Sequence, residues 1–195
     1  MRYALIAAPH KSSGKTTVTL GLAAALRARG LQVQPFKKGP DYIDPLWLGE
    51  AAGRPCHNLD FNTQREDEIR ALFSRHAQTA DVALIEGNLA LFDDSQNVTG
   101  EHSNAGLAAL LGAPVVLVIN TQGMGRSVVP LVLGYAGFVP AVNLCGVVLN
   151  NVAGQRHEAN LRRALAYYTD IPVLGAVQRN AAWQIAEEHL GLVPS

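Results

Sequence analysis

Cysteine is almost missing from this chain. Its 195 residues hold two, Cys56 and Cys145, too few for a disulfide framework and without the paired spacing of a zinc site; both read as structural thiols. No surplus of charge exists either. Sixteen Lys and Arg balance sixteen Asp and Glu, and no long basic run occurs, so the sequence offers no argument for nucleic-acid or anionic-membrane binding. No apolar stretch is long enough to span a bilayer, and Met1 leads straight into a strand-like run without a signal-peptide layout, which points to a cytoplasmic protein. Of the six histidines, His10 lies in a loop where it could touch a phosphate. His57, His76, His102, His157 and His189 lack ligand spacing, so no transition-metal site is expected. Internal repeats and low-complexity tracts are absent.

What is present fits one domain over residues 1–195, 48% hydrophobic and long enough to bury a core covered on both sides. Apolar, β-branched runs recur at Tyr3 to Ala8, Leu31 to Phe36, Val82 to Ile85, Val115 to Ile119, Leu144 to Leu149 and Val173 to Val177. Helical spacing fills the gaps, at Thr16 to Arg29, Gln64 to Arg75, Ala105 to Leu111, Ser127 to Gly137, Glu158 to Tyr168 and Ala181 to Leu190. Alternating strands and helices predict an α/β, P-loop NTPase-type three-layer fold with a mainly parallel central sheet and helices on both faces. Thr63 with Glu66 suggests a capping box for the second helix, and Gly30 the stop of the first. The irregular stretch Gly87 to His102 is expected to be a mobile loop over the site.

Three stretches carry chemistry. APHKSSGKTT, from Ala7 to Thr16, lies between a strand and a helix and ends as a phosphate-binding loop ends. Backbone N–H groups there would wrap a β-phosphate at the helix start. The nucleotide-binding set is Ser12, Ser13, Gly14, Lys15, Thr16 and Thr17, with Lys15 reaching the β- and γ-phosphates and the Thr16 hydroxyl ligating Mg²⁺. Pro9 stands where the motif has its first glycine, and Lys11 lies one place beyond the extra lysine of partition ATPases. ADVALIEGN puts Glu86 at the carboxyl end of a buried strand, a place for a Mg²⁺-holding acid or for a polar residue that merely ends a strand. FKKGPDYIDP supplies Lys37 and Lys38, then Asp41 and Asp44. Forming an acyl phosphate needs a cation between two anions and a metal on the γ-phosphate, which this run could serve, although most such runs are solvated turns.

These stretches, with GRPCHNLD, GAPVVLVIN, GVVLNNVAGQRH and HLGLVPS in order, resemble the amino-terminal ATPase domain of the cobyrinate a,c-diamide synthase family, in the larger group that includes dethiobiotin synthetase. The similarity covers essentially the whole chain, and FKxGPDYIDP is its specific part. The resemblance implies that ATP phosphorylates a carboxylate of a corrin-like tetrapyrrole and that ammonia displaces the phosphate. By position it implies Thr16, Asp41 and Glu86 as Mg²⁺ ligands, and Lys15 and Lys37 as cations bridging ATP and carboxylate. Asp44 and Asp93 match acids at the substrate end, and Asn150 a residue that reads adenine. Ser103 sits where a substrate carboxylate could meet a helix N-terminus, or is a plain N-cap. The chain departs from the family at Pro9, at Phe61 to Thr63, in the run EGNLALFDD, at Asn120 and at Gln178.

Family members continue into a glutamine amidotransferase domain. No cysteine here sits in a nucleophile turn, so a glutaminase domain is expected to be absent and ammonia to come from elsewhere, such as a separate glutaminase domain or subunit. A homodimer is left open. The alternatives are a partition-type nucleotide-switch ATPase, to which the PDYID run contributes nothing, and a degenerate relative that binds nucleotide without chemistry.

Overall fold

Along the first strand Leu5 and Ala7 face one way and Ile6 the other, and all three are buried, so both sides of this strand must be covered. The computed structural model describes residues 2–94 and 98–183 and the backbone of 187–188 and 191–192. In chain order the elements are β1 Arg2–Ala7, α1 Lys15–Ala28, β2 Val33–Lys38, α2 Asp44–Ala52, β3 His57–Leu59, α3 Glu66–Ala77, β4 Val82–Glu86, α4 Asn104–Leu111, β5 Val115–Asn120, α5 Val128–Phe138, β6 Leu144–Val152, α6 Gln155–Tyr168 and β7 Val173–Gln178. The seven strands form one parallel sheet in the order β3-β2-β4-β1-β5-β6-β7.

Right-handed crossovers distribute the helices. The steps β1 to β2 and β2 to β3 run one way across the sheet and place α1 and α2 on one face. Every later step runs the other way and places α3, α4, α5 and α6 on the opposite face. The core divides accordingly. Leu5, Ala7, Phe36, Ile85, Leu117, Ile119 and Leu149 pack with Ile69, Leu107, Val132 and Leu161 of the second set of helices. Ile6, Val116, Val118 and Val148 pack with Val18 of α1, and Val33 and Leu84 with Ala23 and Ala52.

Four expectations need correction. The sequence reading has no helix at Asp44–Ala52, yet one forms, with Pro45 in its first turn and Gly53 closing it at φ 69°; both are helix boundary signals. The second predicted helix begins later than its proposed cap. Arg65 is its N-cap residue and donates its N–H to Glu68 Oε2 at 2.8 Å, while the Thr63 hydroxyl donates to Asp60 instead. The stretch after Glu86 is not a free loop at its start. Leu91 and Ala90 are buried, the Leu91 N–H bonds Ala8 O at 2.9 Å, and Asn104 Nδ2 bonds Ala90 O at 2.9 Å; residues 95–97 lie outside the described set. One helix over Ala181 to Leu190 is not formed. A 3-10 turn covers Ala181–Trp183, and Glu187–Glu188 (β8) pairs antiparallel with Gly191–Leu192 (β9). A ten-residue helix is marginal without a surface to pack on; the rest of that prediction falls on residues that are not described.

Candidate functional site

The phosphate-binding loop is built on backbone conformations that few side chains tolerate. Gly14, just before α1, has φ 91°, and a Cβ there would lie 2.0 Å from the Asn150 amide nitrogen, so only glycine fits. Side chains fasten the loop from three directions. The buried Ser13 hydroxyl donates to His10 O at 2.8 Å, Asn150 Nδ2 donates to Ser13 O at 2.9 Å, and the Tyr135 hydroxyl of α5 donates to Pro9 O at 2.9 Å. The Tyr135 brace comes from a helix more than a hundred residues away, and no local signal in the sequence points to it. Lys15 is buried at the first position of α1, on the positive end of the helix.

Beside the loop, β2 and β4 are adjacent and in register, with Lys37 opposite Glu86. Their side chains meet. Lys37 Nζ is 3.0 Å from Glu86 Oε1, bonds Asp44 Oδ2, and lies 3.7 Å from Asp41 Oδ2. Thr16 Oγ1 donates to Glu86 Oε1 at 2.6 Å, which ties α1 to the same carboxylate. Asp41 Oδ1 accepts the N–H groups of Ile43 and Asp44, both at 3.0 Å, so this acid also shapes the start of α2. One ammonium thus faces three carboxylates in a site where Lys37 is 3% and Glu86 0% exposed.

Burial alone would lower the Lys37 pKa, but the charges of Glu86, Asp44 and Asp41 outweigh it and hold the ammonium above its ordinary range. Glu86 is shifted upward, first by complete burial and against the pull of Lys37. Burial works against the charge on both groups, and the pairing outweighs it for Lys37 but not for Glu86. Glu86 Oε2 is buried without a hydrogen-bond partner. That orphan oxygen, the Thr16 hydroxyl and the excess negative charge suit Mg²⁺, which keeps several waters and takes few protein ligands. Consistent with that sparse donor set, no group of three or more His, Cys, Asp or Glu among the described residues is arranged to hold a metal by itself.

The remaining sequence candidates separate. Thr16, Lys37, Asp41, Asp44 and Glu86 are gathered at one point beside Lys15. Asp93 is elsewhere, on the wall of a small polar pocket with Lys38, Asp60, Asn88, Asp94 and His102. Thr17 faces an apolar groove with Val18, Val148 and Trp183. Asn150 is buried behind the loop, its amide committed to Ser13. Ser103 is the N-cap of α4, accepting the Gly106 N–H at 3.1 Å and donating to Gly100 O at 2.6 Å, which is the plain capping role. Cys56, near Lys37, has its thiol pushed up to about 12 by burial and then by the Glu86 charge, as expected of a structural thiol.

Strand, glycine-bearing loop and helix, on a parallel sheet with helices on both faces, define a P-loop nucleotide-binding domain. The chain belongs to the CobQ/CobB/MinD/ParA nucleotide-binding domain family, which it matches over residues 5–193. It is 54% identical over 190 residues, 97% of its length, to a cobyrinate a,c-diamide synthase of Magnetococcus marinus, and 46% identical over 97% of its length to a hydrogenobyrinate a,c-diamide synthase of Streptomyces coelicolor. It spans about two fifths of those relatives, 40% and 39% of their lengths. Among solved structures it is similar to the cell division protein FtsY of Thermotoga maritima, with TM-score 0.66 and 17% identity over 93% of this chain and 63% of that one. HypB of Helicobacter pylori gives 0.58 and 14% over 93% and 81%. At such identities these two speak for the fold alone. No described helix is long and apolar enough to cross a membrane.

Proposed function

We propose that this domain is the synthetase part of an ATP-dependent amidoligase that activates a carboxylate of a corrin-like tetrapyrrole for amidation by ammonia, in the cytoplasm. The observation that carries the reading is the buried Lys37, held between Glu86 at the phosphate-loop side and Asp44 at the start of α2. A simple nucleotide switch has no use for a second buried cation beside the phosphate loop. The relatives' names supply the acceptor class.

Thr16, Asp41 and Glu86 would hold Mg²⁺, which would offset charge on the triphosphate. Lys15 and the loop N–H groups orient the phosphates, with Ser12, Ser13, Gly14 and Thr17 at the helix start. Lys37 would turn from its carboxylates to lie between the γ-phosphate and the acceptor carboxylate, lowering the repulsion between two anions. The acceptor oxygen bonds phosphorus, and the bond from phosphorus to the ADP oxygen breaks. Ammonia then forms the C–N bond, the C–O bond to phosphate breaks with its electrons on oxygen, and hydrogen phosphate leaves with the extra proton. Asp44 fits the acceptor end, whereas Asp93, which the resemblance also puts there, lines the separate polar pocket. In this reading Asn150 lies at the adenine end while it braces the loop, and ammonia arrives free or from a separate glutaminase.

The test measures ADP and amide from MgATP, cobyrinate and ammonium chloride. Amide formation dependent on all three is expected, with no amide from glutamine alone. Asp41→Asn and Glu86→Gln should keep nucleotide affinity, lose phosphoryl transfer and require more Mg²⁺. ATP turnover indifferent to cobyrinate and ammonia would favour the switch reading instead.

A further inference from the structure

Near the carboxyl end of β2 the Lys37 ammonium stands inside the space that Asp41, Asp44 and Glu86 surround. Nζ bonds Asp44 Oδ2, donates to Glu86 Oε1 at 3.0 Å, lies 3.7 Å from Asp41 Oδ2 and reaches Gly87 O at 3.5 Å. The three acids come from separate places. Glu86 ends β4, Asp41 belongs to the loop after β2 and Asp44 opens α2, yet all converge on one cation. Carboxylates gathered in a space largely closed to water repel one another, and an ammonium supplied by the chain itself offsets that repulsion. Lys37 is thus a structural counter-ion before it meets any ligand.

A divalent metal shared by Asp41 and Glu86 would have to stand in the same space. Mg²⁺ holds its oxygens at about 2.1 Å in an octahedron, whereas the Lys37 ammonium now lies between those two acids. Metal and ammonium exclude each other there. Glu86 Oε1 accepts from both Thr16 Oγ1 and Lys37 Nζ, so its two lone pairs are taken, and a metal can use that oxygen only in the place of one donor. Glu86 Oε2 is unpaired, but a metal on that atom alone would lack Asp41 and would face the ammonium across one carboxylate. Turning Lys37 out by metal alone would strand a buried ammonium, which is costly. A bound triphosphate would accept that ammonium at its γ-phosphate, so metal entry and lysine release would be coupled to nucleotide binding.

We propose that Lys37 is a placeholder cation, which occupies the divalent-metal position in the nucleotide-free domain and keeps metal out until nucleotide arrives. The inference rests on the assignment of Thr16, Asp41 and Glu86 to Mg²⁺ made above and adds an order of binding to it. The experiment titrates Mn²⁺, which takes the same oxygen ligands as Mg²⁺, into the nucleotide-free full chain and reads the free ion by electron paramagnetic resonance. Lys37→Met should bind Mn²⁺ at least about tenfold more tightly than wild type, the lower end of the coupling between close charge pairs. Adding Asp41→Asn to that variant should remove the gain. Lys38→Met deletes the same charge one residue along the strand, where the side chain points the other way, and should change the affinity by less than about twofold. Lys37→Gln keeps an N–H donor and decides the matter if Lys37→Met does not fold; a variant that folds only once Mn²⁺ is added supports the placeholder directly. An affinity unchanged by the Lys37 substitution, or raised equally by Lys38→Met, overturns the placeholder and leaves the metal assignment standing. The metal assignment itself is tested with a non-hydrolysable ATP analogue bound. Equal Mn²⁺ affinity of that complex in wild type, Asp41→Asn and Glu86→Gln overturns it, and the placeholder with it.

Discussion

At the carboxyl ends of β2 and β4 the chain places Lys37, Lys38 and Glu86, whereas β5, β6 and β7 carry Asn120, Asn150 with Asn151, and Gln178 near theirs. The first half of the sheet is covered on both faces, by α1 and α2 and by the opposite helices. The second half is covered fully on one and, among the described residues, only partly on the other, where Val18 of α1 packs on Val116, Val118 and Val148. No crossover returns over β5 to β7 on the α1 side, and there Leu174 is 54% and Trp183 55% exposed beside the apolar groove. Buried charges are kept where packing on both faces excludes water, which strengthens each charge interaction and makes an unpaired one costly. The half bounded by amides supports the other, since Asn150 reaches from β6 to hold the phosphate loop by its Ser13 carbonyl.

Removing the central cation breaks that contrast most severely. Lys37→Ala leaves Glu86, Asp41 and Asp44 facing one another without a counter-ion, and a buried pair cut on one side costs about 3–5 kcal/mol. Chemical denaturation should show a loss of that size. The sign with pH follows from Glu86, whose folded pKa is raised. In the window between its ordinary and its raised value the folded state binds more protons than the unfolded, so stability falls as pH rises. The variant should therefore lose more at pH 8 than at pH 5, and an equal loss at both would mean that Glu86 is not its source.

Lys15→Ala and Thr16→Ala test the same half for chemistry without removing the cluster's counter-ion. Losing a preorganised phosphate contact costs about 3 kcal/mol at the transition state, on the order of a hundredfold in turnover. The melting temperature should change little by comparison. Wild-type MgATP turnover in Lys15→Ala would remove the nucleotide site from this loop.

How much of this was legible in the sequence differs between the halves in the same way. The phosphate loop, Glu86 and the FKKGPDYIDP run are local signals, each readable from a strand followed by residue types that chemistry requires, and the structure gathers Thr16, Lys37, Asp41, Asp44 and Glu86 at one point. Helix α2 was missed although Pro45 and Gly53 mark its ends, because a run read as a charged turn hid its start. Strand β3 is three residues long and has too few positions for a period. The braces from Tyr135 and Asn150 depend on which distant elements the crossovers bring beside the loop, and no periodicity carries that information. Asp93 and Lys38 flank the site in sequence but lie in a separate pocket, because strand alternation and the β4–α4 connection turn them away.

A brace from the half bounded by amides should matter less than the charges it supports. Asn150→Ala removes one buried hydrogen bond and leaves the Ser13 carbonyl unpaired, worth about 1–2 kcal/mol. Because that bond fixes the loop just before Gly14, the KM for ATP should rise while the metal requirement stays put. A change in Mg²⁺ dependence equal to that of Glu86→Gln would erase the distinction between brace and site.

The smallest expected effect lies at the covered edge, where the His57 ring of β3 stacks on His76 of α3 with centroids 3.8 Å apart. Burial lowers the His57 pKa, and the charges of His76 and Arg54 lower it further. With the folded value below the ordinary value near 6.5, the unfolded chain takes up a proton first as pH falls. The contribution is complete above that ordinary value and is lost as pH drops toward the lowered folded one. Urea midpoints should therefore decline as pH falls below about 6.5. His76→Phe keeps a ring in the stack but removes its charge, so the decline should become shallower while stability at pH 8 is little changed. The same slope in the variant would show that His76 is not what opposes protonation, and that acid sensitivity at this edge comes from burial alone.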